Sequence, residues 1–286
     1  MYGPGTVGIK VRSCAGRSGT GPVGLLAIAG CVGALVLAGC SRSPESPAAA
    51  AAPRHHAYTL MQMNLCLSGL AGCYPKVRYP AGVSDAVARV RELHPDAVTL
   101  NEACSGDVAL IARRTGYHAR FSRVIYFGKP LRCIHPSGRG RFGDAVLTRA
   151  PIEGAAAAAF PTQSGPERRQ WLCVRTRRAV QVCTAHLASH EPEEAAANAP
   201  QCAELAAVLA HRAAVGTVIF GGDVNRPSSC APHAFWTRTD ASARQDPGSQ
   251  QVYGSGALHT PSARVLQAIH TDHDVLLARA DLAARP

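Results

Sequence analysis

The sequence is poor in aromatic side chains, which make up only 5% of its 286 residues. A large hydrophobic core must therefore be built from Val, Leu, Ala and Ile, and the chain is long enough for one such domain. No internal repeat is visible, which argues against a solenoid or a propeller. No two cysteines have the Cys-x-x-Cys spacing, which argues against a structural zinc site.

The first forty residues are typical of an export signal rather than of a folded domain. Basic residues precede an apolar stretch from Val23 to Leu37, which ends in Leu37-Ala38-Gly39-Cys40. Small residues before a cysteine at this point predict a bacterial lipoprotein signal, with Cys40 as the lipidated amino terminus. An uncleaved membrane anchor is the alternative. Both interpretations place the remainder outside the cytoplasm and attach it to the bacterial cell membrane.

The composition divides the chain into three segments. Residues 1–39 are the predicted signal peptide, residues 40–56 are the lipidated cysteine and a flexible tether rich in Ser, Pro and Ala, and residues 57–286 are one folded domain. Within that domain predicted strands alternate with predicted helices, which indicates an α/β fold with mixed sheets. We expect a monomer.

Eight cysteines follow the leader, and their even number in an exported chain predicts four disulfides. They are Cys66, Cys73, Cys104, Cys133, Cys173, Cys183, Cys202 and Cys230. We expect Cys66–Cys73 to close a local loop, and Cys173 to face Cys183 across a hairpin. The other pairings stay open, since eight cysteines allow roughly a hundred connectivities.

The net charge of the chain is +11. A basic exterior raises the local concentration of polyanions and speeds their encounter with the protein. Nucleic acid and anionic membrane surfaces are both compatible with it, and an Arg-rich composition without a binding role is the alternative. The segments Arg168-Arg169 and Arg175–Arg178 are candidates for following a nucleic-acid backbone. The scarcity of aromatics disfavours sequence-specific recognition of bases.

Polar residues recur where predicted strands end, which is where active sites of sheet proteins collect. Asn64 lies at the end of the strand Tyr58–Leu65, and Glu102 follows the strand Ala97–Leu100. A hard divalent cation takes oxygen ligands, including one or two carboxylates, and Glu102 suits that role. Asn64 can bind a phosphate oxygen or orient a metal ligand. Read alone, either residue is also compatible with a surface loop or turn.

The segment Gly222-Asp223-Val224-Asn225 follows the predicted strand Thr217–Phe220. Glycine lets the backbone turn tightly beside a ligand. Asp223 and Asn225 are two positions apart, so they share a face of an extended backbone. The carboxylate can hold an attacking water and the amide can contact a phosphoryl group. An Asx turn is the alternative.

Two histidines and two arginines complete the candidate set. His186 ends a predicted strand and can donate a hydrogen bond to a developing phosphorane, although a structural histidine is the simpler interpretation. His273 is flanked by acids and can act as a general base, because the pKa of histidine lies near neutrality. Its neighbour Asp272 is a second candidate metal ligand. Arg139 and Arg141 lie in a Gly-rich loop and are candidate phosphate clamps, or solvated cations.

The ordered set of motifs resembles the endonuclease/exonuclease/phosphatase superfamily. The motifs are Met61–Asn64, Asn101–Glu102, Gly143–Arg149, Thr184–Leu187, Gly222–Asn225 and Thr271–Asp274. The resemblance extends from Tyr58 to Ala278, which is nearly the whole domain. Members include pancreatic deoxyribonuclease, abasic-site endonucleases, neutral sphingomyelinases and inositol polyphosphate 5-phosphatases.

The resemblance implies a four-layer sandwich, in which two packed mixed β-sheets are flanked by helices. It also implies a phosphoesterase that depends on Mg²⁺ or Mn²⁺. Carried over motif by motif, the resemblance makes Glu102 the principal metal ligand, with Asn64 and Asp272 near it. Asp223 and Asn225 position water and phosphate. His186 stabilises the transition state, and His273 matches the catalytic histidine. Removal of the proton from water stays shared between Asp223 and His273.

One stretch departs from the family pattern. Members usually carry an Arg-Ile-Asp-Tyr-like strand before the final histidine, and its Asp orients that histidine. The corresponding stretch here, Gln250–Ser255, contains no acid. Asp240, Asp246 or a backbone carbonyl are the candidate substitutes. Without an orienting partner His273 would be a poorer base.

The sequence therefore predicts an exported, metal-dependent phosphodiesterase, and a nuclease acting on DNA or RNA is the first hypothesis. A sphingomyelinase-like or phospholipase C-like enzyme is the second, although no clear apolar hairpin for insertion into a bilayer is visible. The third is a non-catalytic binding protein tethered to the surface. The missing orienting acid favours this third hypothesis, and the retained Asp223 and His273 argue against it.

Overall fold

The computed structural model describes residues 56–282. The predicted signal peptide, the lipidated Cys40 and nearly all of the tether lie outside the described residues, as do residues 283–286. Among the helices that the structure describes, none is long and apolar enough to cross a membrane.

Strands dominate the described part of the chain. The strands are β1 (His56–Asn64), β2 (Ala97–Cys104), β3 (His118–Arg123), β4 (Ile125–Tyr126), β5 (Lys129–Pro130), β6 (Phe142–Thr148), β7 (Ile152–Ala159), β8 (Glu167–Arg168), β9 (Gln170–Thr176), β10 (Val180–Ala185), β11 (Thr217–Asp223), β12 (Trp236–Thr239), β13 (Gln250–Gly254), β14 (Leu258–Leu266) and β15 (Val275–Leu282). The helices are α1 (Tyr74–Val77), α2 (Ala81–Leu93), α3 (Ser105–Thr115) and α4 (Ala195–Ala213).

Two six-stranded mixed sheets form the domain. The first has the strand order β14-β15-β1-β2-β6-β3, and the second has the order β12-β13-β11-β10-β9-β7. Each sheet has one central parallel pair, β1 with β2 and β10 with β11, and the remaining neighbours are antiparallel. Strands β4, β5 and β8 form a small third sheet.

The two large sheets pack face to face, and helices cover their outer faces. Alternation along β1 illustrates this, because Leu60 lies in the core between the sheets while Met61 and Met63 lie in the core beneath α2 and α3. On β11 Ile219 faces the other sheet, and Phe220 packs with residues of α4. The predicted four-layer α/β sandwich is confirmed.

Helix α2 begins earlier than its sequence pattern indicates. Ser84, which resembles an N-cap, lies inside the helix, and its amide donates to the carbonyl of Pro80. The buried face carries Val83, Val87 and Val90 at helical spacing. The helix ends at Leu93, ahead of Pro95, because the residue before a proline disfavours the helical conformation.

The eight described cysteines form four disulfides, as predicted. The pairs are Cys66–Cys73, Cys104–Cys133, Cys173–Cys183 and Cys202–Cys230. The two pairings expected from the sequence are confirmed, and Cys173 and Cys183 are directly opposite each other on β9 and β10. The other two pairs join segments that lie far apart in the sequence, which local spacing does not reveal.

Candidate active site

The ends of the central strands of both sheets open onto one cleft of about 330 Å³. Five of the residues singled out from the sequence line it, and they are Glu102, His186, Asp223, Asn225 and His273. They come from β2, the residue after β10, the end of β11, the loop that follows β11 and the loop before β15. The fold thus brings together residues that the chain keeps far apart.

Asn64 lies at the end of β1 and joins two carboxylates on different sheets. Its Nδ2 donates to Glu102 Oε1 at 2.8 Å and to Asp223 Oδ2 at 3.0 Å. Its Oδ1 accepts a hydrogen bond from the amide of Cys66 at 3.1 Å. Only the amide oxygen can accept, so this contact fixes the orientation of the side chain. Asn64 is therefore a bridge between the two halves of the site.

Glu102 lies within β2, and not just past its end as predicted. The pairing of β2 with β6 is irregular between Leu100 and Ala103, and Glu102 has a φ of 53°. A bulge of this kind re-aims a side chain, and strained backbone is concentrated at functional sites. Burial raises the pKa of Glu102 to about 7, although the hydrogen bond from Asn64 opposes the shift.

Asp223 and His273 are in direct electrostatic contact. Nε2 of His273 lies 3.5 Å from Oδ2 of Asp223. Burial opposes ionisation of Asp223, yet the positive charge of His273 and the hydrogen bond from Asn64 hold the pKa of this carboxyl below its usual range. For His273 burial would lower the pKa, yet the charges of Asp223 and Asp272 raise it above its ordinary value. The pair favours an ionised carboxylate beside a protonated imidazole.

Asn225 is held by the residues that follow β10. Its Nδ2 lies 3.0 Å from Nε2 of His186 and donates to the carbonyl of Leu187 at 2.9 Å. An amide nitrogen only donates, so Nε2 of His186 accepts and the ring proton is on Nδ1. Burial, and then the charge of Arg169, lowers the pKa of His186 to about 3. A neutral His186 therefore orients the amide of Asn225.

The loop before β15 is tied to the end of β1. Thr271 Oγ1 donates to the carbonyl of Asn64 at 2.8 Å and lies 3.3 Å from Oδ1 of Asp272. Asp272 Oδ1 lies 4.0 Å from Nε2 of His273, so the candidate metal ligand and the candidate catalytic histidine share one region. Asp274 has a structural contact instead, because its Oδ1 accepts from the amide of Ala268 at 2.9 Å.

The oxygen donors around Glu102 suit a hard divalent cation. Carboxylates and amides are the ligands that Mg²⁺ and Mn²⁺ prefer, and a cation would offset the burial that raises the pKa of Glu102. Within residues 56–282, three candidate ligand atoms within 4.8 Å of one another occur only for Glu102, Cys66 and Cys73, and those cysteines form a disulfide. The protein therefore supplies few direct ligands, as is usual for Mg²⁺ sites that retain water.

None of the predicted substitutes for the orienting acid bonds to His273. Its Nδ1 is buried and makes no hydrogen bond within residues 56–282. The carboxylate of Asp240 is buried and accepts from two backbone N–H groups, at 2.8 and 3.1 Å. Asp246 affects His273 through its charge, which contributes to the raised pKa. His273 thus has carboxylates on one side only.

The structure corrects the prediction for Arg139. Its side chain is buried, and Nη1 pairs with Asp107 at 3.0 Å. Nη2 donates to the carbonyls of Leu67, at 2.8 Å, and of Ile134. The guanidinium also lies 4.6 Å from the ring centroid of Tyr79. Because these partners occupy its donors, Arg139 stabilises the loops beside the cleft and does not clamp phosphate there.

Arg141, Arg175 and Arg178 also lie outside the lining of the cleft. Arg141 lines a neighbouring depression, to which we return below. Arg175 and Arg178 lie around the turn between β9 and β10, at the end of β10 remote from the cleft. They pair with Glu153 at 3.1 Å and with Asp96 at 3.4 Å. These two arginines therefore do not extend the cleft as a basic track.

Arg169 is a cleft residue that the motifs did not identify. It is 6% exposed and lines the cleft. Its Nη2 donates to Glu194 Oε2 at 2.8 Å, and its Nη1 lies 2.9 Å from Glu167 Oε1. The sequence placed Arg169 only within a basic segment. No spacing signal distinguishes it, because the acids that fix it belong to β8 and to the residue before α4.

A buried polar layer supports the cleft from beneath. Asn101 Oδ1 accepts from the amide of Asp223 at 2.9 Å and from Nε2 of Gln62 at 2.7 Å. Its Nδ2 donates to Asp144 Oδ1 at 2.9 Å. Burial raises the pKa of Asp144 to about 7. Asn101 and Asp144 belong to recognised motifs, but their role as supports required the contact between the sheets.

The glycines before Asp223 permit close packing rather than a tight turn. A Cβ on Gly222 would lie 2.3 Å from the carbonyl oxygen of Ala185 on β10. A Cβ on Gly221 would lie 2.4 Å from Oγ1 of Thr99 on the other sheet. Both distances are below any real Cβ contact, and neither glycine has positive φ. Asp223 therefore reaches the cleft because the strand before it carries no side chains here.

The comparison with family models gives the class of protein. Residues 70–285 match the model described as the Endonuclease/Exonuclease/phosphatase family. This match covers most of the chain, and the chain belongs to that family. The resemblance inferred from the motifs is confirmed. A search of curated proteins found no match.

Solved structures share the fold at low sequence identity. The endonuclease/exonuclease/phosphatase from Beutenbergia cavernae DSM 12333 is 18% identical, with 82% of this chain and 73% of that chain covered and a TM-score of 0.59. The human Nocturnin catalytic domain with bound sulfate is 14% identical, with coverages of 82% and 100% and a TM-score of 0.59. D. rerio TDP2 complexed with single strand DNA product is 14% identical, with coverages of 78% and 98% and a TM-score of 0.54.

Proposed function

We propose that this protein is a phosphodiesterase that depends on a divalent metal ion and acts on DNA or RNA. The observation that carries the proposal is the convergence of Glu102, Asp223 and His273 on one cleft, with Asn64 bridging the two carboxylates. Membership of a family of phosphoesterases supports hydrolysis of an ester bond. The oxygen-rich donor set supports Mg²⁺ or Mn²⁺ as the cofactor.

In this proposal Glu102 holds the cation with Asp272 close to it. Asn64 orients the Glu102 carboxylate and does not itself bind the cation, because its amide nitrogen faces Glu102 and its amide oxygen accepts from Cys66. When bound, the cation supplies Lewis acidity, which offsets charge on the phosphoryl oxygens and favours ionisation of water. The chain itself contributes the buried guanidinium of Arg169. That group is positively charged in the wall of the cleft and fixed by two acids, so it binds the phosphate without first having to be ordered.

Proton transfer is assigned to the pair Asp223 and His273. Their separation of 3.5 Å couples the two groups, so the proton taken from water belongs to the pair rather than to either residue. The positive charge of His273 lies beside the developing negative charge. His186 and the carbonyl of Leu187 use both hydrogens of the Asn225 amide nitrogen, so the group that Asn225 offers is its amide oxygen, which accepts from the attacking water.

Three observations favour nucleic acid as the substrate. The chain carries a net charge of +11, which attracts polyanions. A protein of this fold, D. rerio TDP2, has been solved with single strand DNA product. The cleft also adjoins a second basic depression, which is described in the next subsection.

We also propose that the protein is exported and lipid-anchored through Cys40. The four disulfides support an oxidising compartment, where such bonds persist. Expression of the full chain in a bacterium that processes lipoproteins, followed by fractionation and mass spectrometry, tests this. We expect a membrane-bound product that begins at lipidated Cys40. A soluble product from the Cys40→Ser variant supports the anchor, and an unmodified cytoplasmic wild type contradicts it.

A lipid phosphodiesterase is the second candidate, and one feature favours it. The turn between β4 and β5 carries Phe127, which is 74% exposed, and the preceding Tyr126 lines the cleft. An exposed aromatic residue at the tip of a hairpin is suited to a membrane interface as well as to a base. The sequence pattern did not indicate this hairpin, because its strands are only two residues long.

The test compares substrates in the presence of Mg²⁺, Mn²⁺ or a chelator. The protein is incubated with supercoiled plasmid, with DNA and RNA oligonucleotides, with sphingomyelin vesicles and with a small chromogenic phosphodiester. Metal-dependent cleavage of the polynucleotides is expected. Release of choline phosphate alone supports the lipid enzyme, and survival of every substrate supports a non-catalytic binding protein.

Two histidine variants tie any activity to this cleft. His273→Ala is expected to lower kcat by at least about a hundredfold, since general acid–base groups contribute on that scale. His259→Ala is the matched control, because His259 is exposed on β14 outside the cleft. Full turnover by the His273 variant removes this residue from the mechanism.

A further inference from the structure

A second depression adjoins the cleft and has a volume of about 590 Å³. Arg123, at the end of β3, and Arg141, just before β6, line it together with Ser105, Ser122 and Gln170. No carboxylate contributes to its lining. It is larger than the cleft and opens to solvent, so a ligand group can enter it directly.

The two arginines differ from Arg139 and Arg169, the buried arginines beside the cleft. Neither guanidinium has a hydrogen bond or an ion pair with another residue among positions 56–282, whereas those of Arg139 and Arg169 pair with buried acids. A guanidinium presents a planar set of donors that matches phosphate oxygens. The hydroxyl of Ser105, which accepts from the amide of Arg141 at 3.0 Å, still has its own proton to donate. The depression therefore combines unpaired positive charge with neutral donors.

The depression and the cleft share one wall. Ile125 and Arg141 line the depression, and the residues that follow them in the chain, Tyr126 and Phe142, line the cleft. At the start of β9, Gln170 lines the depression, and the residue before it, Arg169, lines the cleft. Consecutive Cα atoms lie about 3.8 Å apart. The wall is thus one strand thick, so a polynucleotide that crosses it can place one phosphate on each side.

We propose that the depression lined by Arg123 and Arg141 binds a second phosphate of the same polynucleotide strand whose scissile phosphate occupies the cleft. The inference rests on the proposed function, and it narrows the substrate to a chain of several nucleotides. A dinucleotide, which has one phosphodiester, cannot fill both sites. The enzyme therefore prefers internal positions of a strand over short products.

The first measurement is binding without turnover. A fluorescent single-stranded DNA 12-mer is titrated in a chelator with the wild type, the double variant Arg123→Gln/Arg141→Gln and the control Arg113→Gln/Arg114→Gln. The control removes the same charge from the far end of α3, about 13 Å along the helix axis from Ser105. We expect the double variant to bind at least about tenfold more weakly, with a salt dependence reduced by about one unit of slope. The control is expected to match the wild type.

The second measurement is specificity. The ratio of kcat/KM for the 12-mer to that for a dinucleotide is expected to fall about tenfold in the double variant and to stay constant in the control. Equal binding of the 12-mer by the double variant and the wild type overturns the proposal. So does a loss that appears only with anionic phospholipid vesicles, since the depression would then recognise a membrane surface.

Failure of the proposed function is distinguishable from failure of this inference. If the wild type cleaves no polynucleotide, the catalytic proposal is wrong, while the binding arm with chelator still decides whether the depression holds a nucleic-acid phosphate. Thermal melting checks that each variant is folded. If the double variant does not fold, Arg123→Gln alone decides the matter, because Arg123 is exposed on β3, an edge strand.

Discussion

Replacing Asp240 with asparagine separates a structural role from a catalytic one. Asp240 Oδ1 accepts from the backbone N–H groups of Gly248 and Gln250, at 2.8 and 3.1 Å. Asparagine has an oxygen in the same place and keeps both contacts. If Asp240 serves the loop alone, Asp240→Asn changes the pH dependence of stability and leaves turnover by His273 nearly intact.

The size of the effect follows from the pKa. Burial raises the pKa of Asp240 to about 6, although its hydrogen bonds oppose the shift. The unfolded chain has a value near 4 for Asp. The folded state then binds more protons than the unfolded state between these values, so the wild type loses stability as pH rises. Two pK units correspond to roughly 3 kcal/mol, and about 2 kcal/mol of this is lost between pH ~4 and ~7. The asparagine variant has no such loss.

Urea unfolding of both proteins across that pH range measures the difference. Titration of all other groups is common to both, so it cancels. We expect the stability of Asp240→Asn relative to the wild type to rise by about 2 kcal/mol from pH ~4 to ~7. Asp85→Asn, which removes a surface ion pair with Arg89 at 3.0 Å, is the control and should change by less than about 0.5 kcal/mol.

Two results would refute the reasoning. A stability difference that does not change with pH would mean that burial does not raise the pKa of Asp240. A fall in kcat of about a hundredfold or more, with folding intact, would mean that Asp240 orients His273 through a contact made only with substrate bound. We expect kcat within about twofold of the wild type.

Three further outcomes follow from the contacts described. Arg139→Ala should lower the free energy of unfolding by about 3 kcal/mol, because it leaves a buried acid unpaired, and KM should not change; a raised KM with unchanged stability would contradict this. Mg²⁺ at a hundredfold excess over Kd should stabilise the wild type by about 2.7 kcal/mol and so raise its Tm. Glu102→Gln should abolish this rise in Tm, while Glu153→Gln should retain it; an equal rise in both variants would exclude Glu102 as a ligand. Gly222→Ala should cost at least about 2 kcal/mol in urea unfolding, whereas Gly72→Ala, where a Cβ meets nothing within 4 Å, should cost under about 1 kcal/mol; similar costs would disprove the packing argument.

Short-range patterns predicted much of the fold. Apolar runs such as Thr217–Phe220 identify central strands because both faces of β11 are buried. The strands β3 and β14 were not predicted, since polar residues such as His118 interrupt any apolar run. Strand β7 was not predicted because it consists largely of alanines, which are depleted in strands. An edge strand is stabilised by pairing with a neighbour, and that pairing is not encoded in its own periodicity.

The site could be predicted where the functional residues of a motif lie close together in the sequence. Asp223 and Asn225 both reach the cleft, as their motif predicts. They do so through an Asx turn, which was the alternative interpretation, because Asp223 Oδ1 accepts from the amide of Asn225 at 3.0 Å and Asn225 has a φ of 49°.

The prediction for Arg139 was wrong because a Gly-rich loop suggests an exposed side chain. Its guanidinium instead pairs with Asp107, a buried acid 32 positions earlier in the chain. Arg169 was predicted only as part of a basic segment that follows a nucleic-acid backbone, and its burial beside Glu167 and Glu194 was not predicted. For a long cationic side chain, burial depends on where its carboxylate partner lies, and sequence spacing does not give that distance.

The missing orienting acid is best understood through the loop that carries His273. Thr271 is bound to the carbonyl of Asn64, and the carbonyl of Asp274 accepts from the side chain of Gln250. The backbone is therefore held on both sides of His273, and the contact of Nε2 with Asp223 at 3.5 Å restrains the ring without an acid on Nδ1. The missing acid would also stabilise the imidazolium of His273. Asp223, whose carboxylate contacts Nε2, performs this second function here. An acid on the Gln250–Ser255 strand is then dispensable, provided that Gln250 keeps the loop in place.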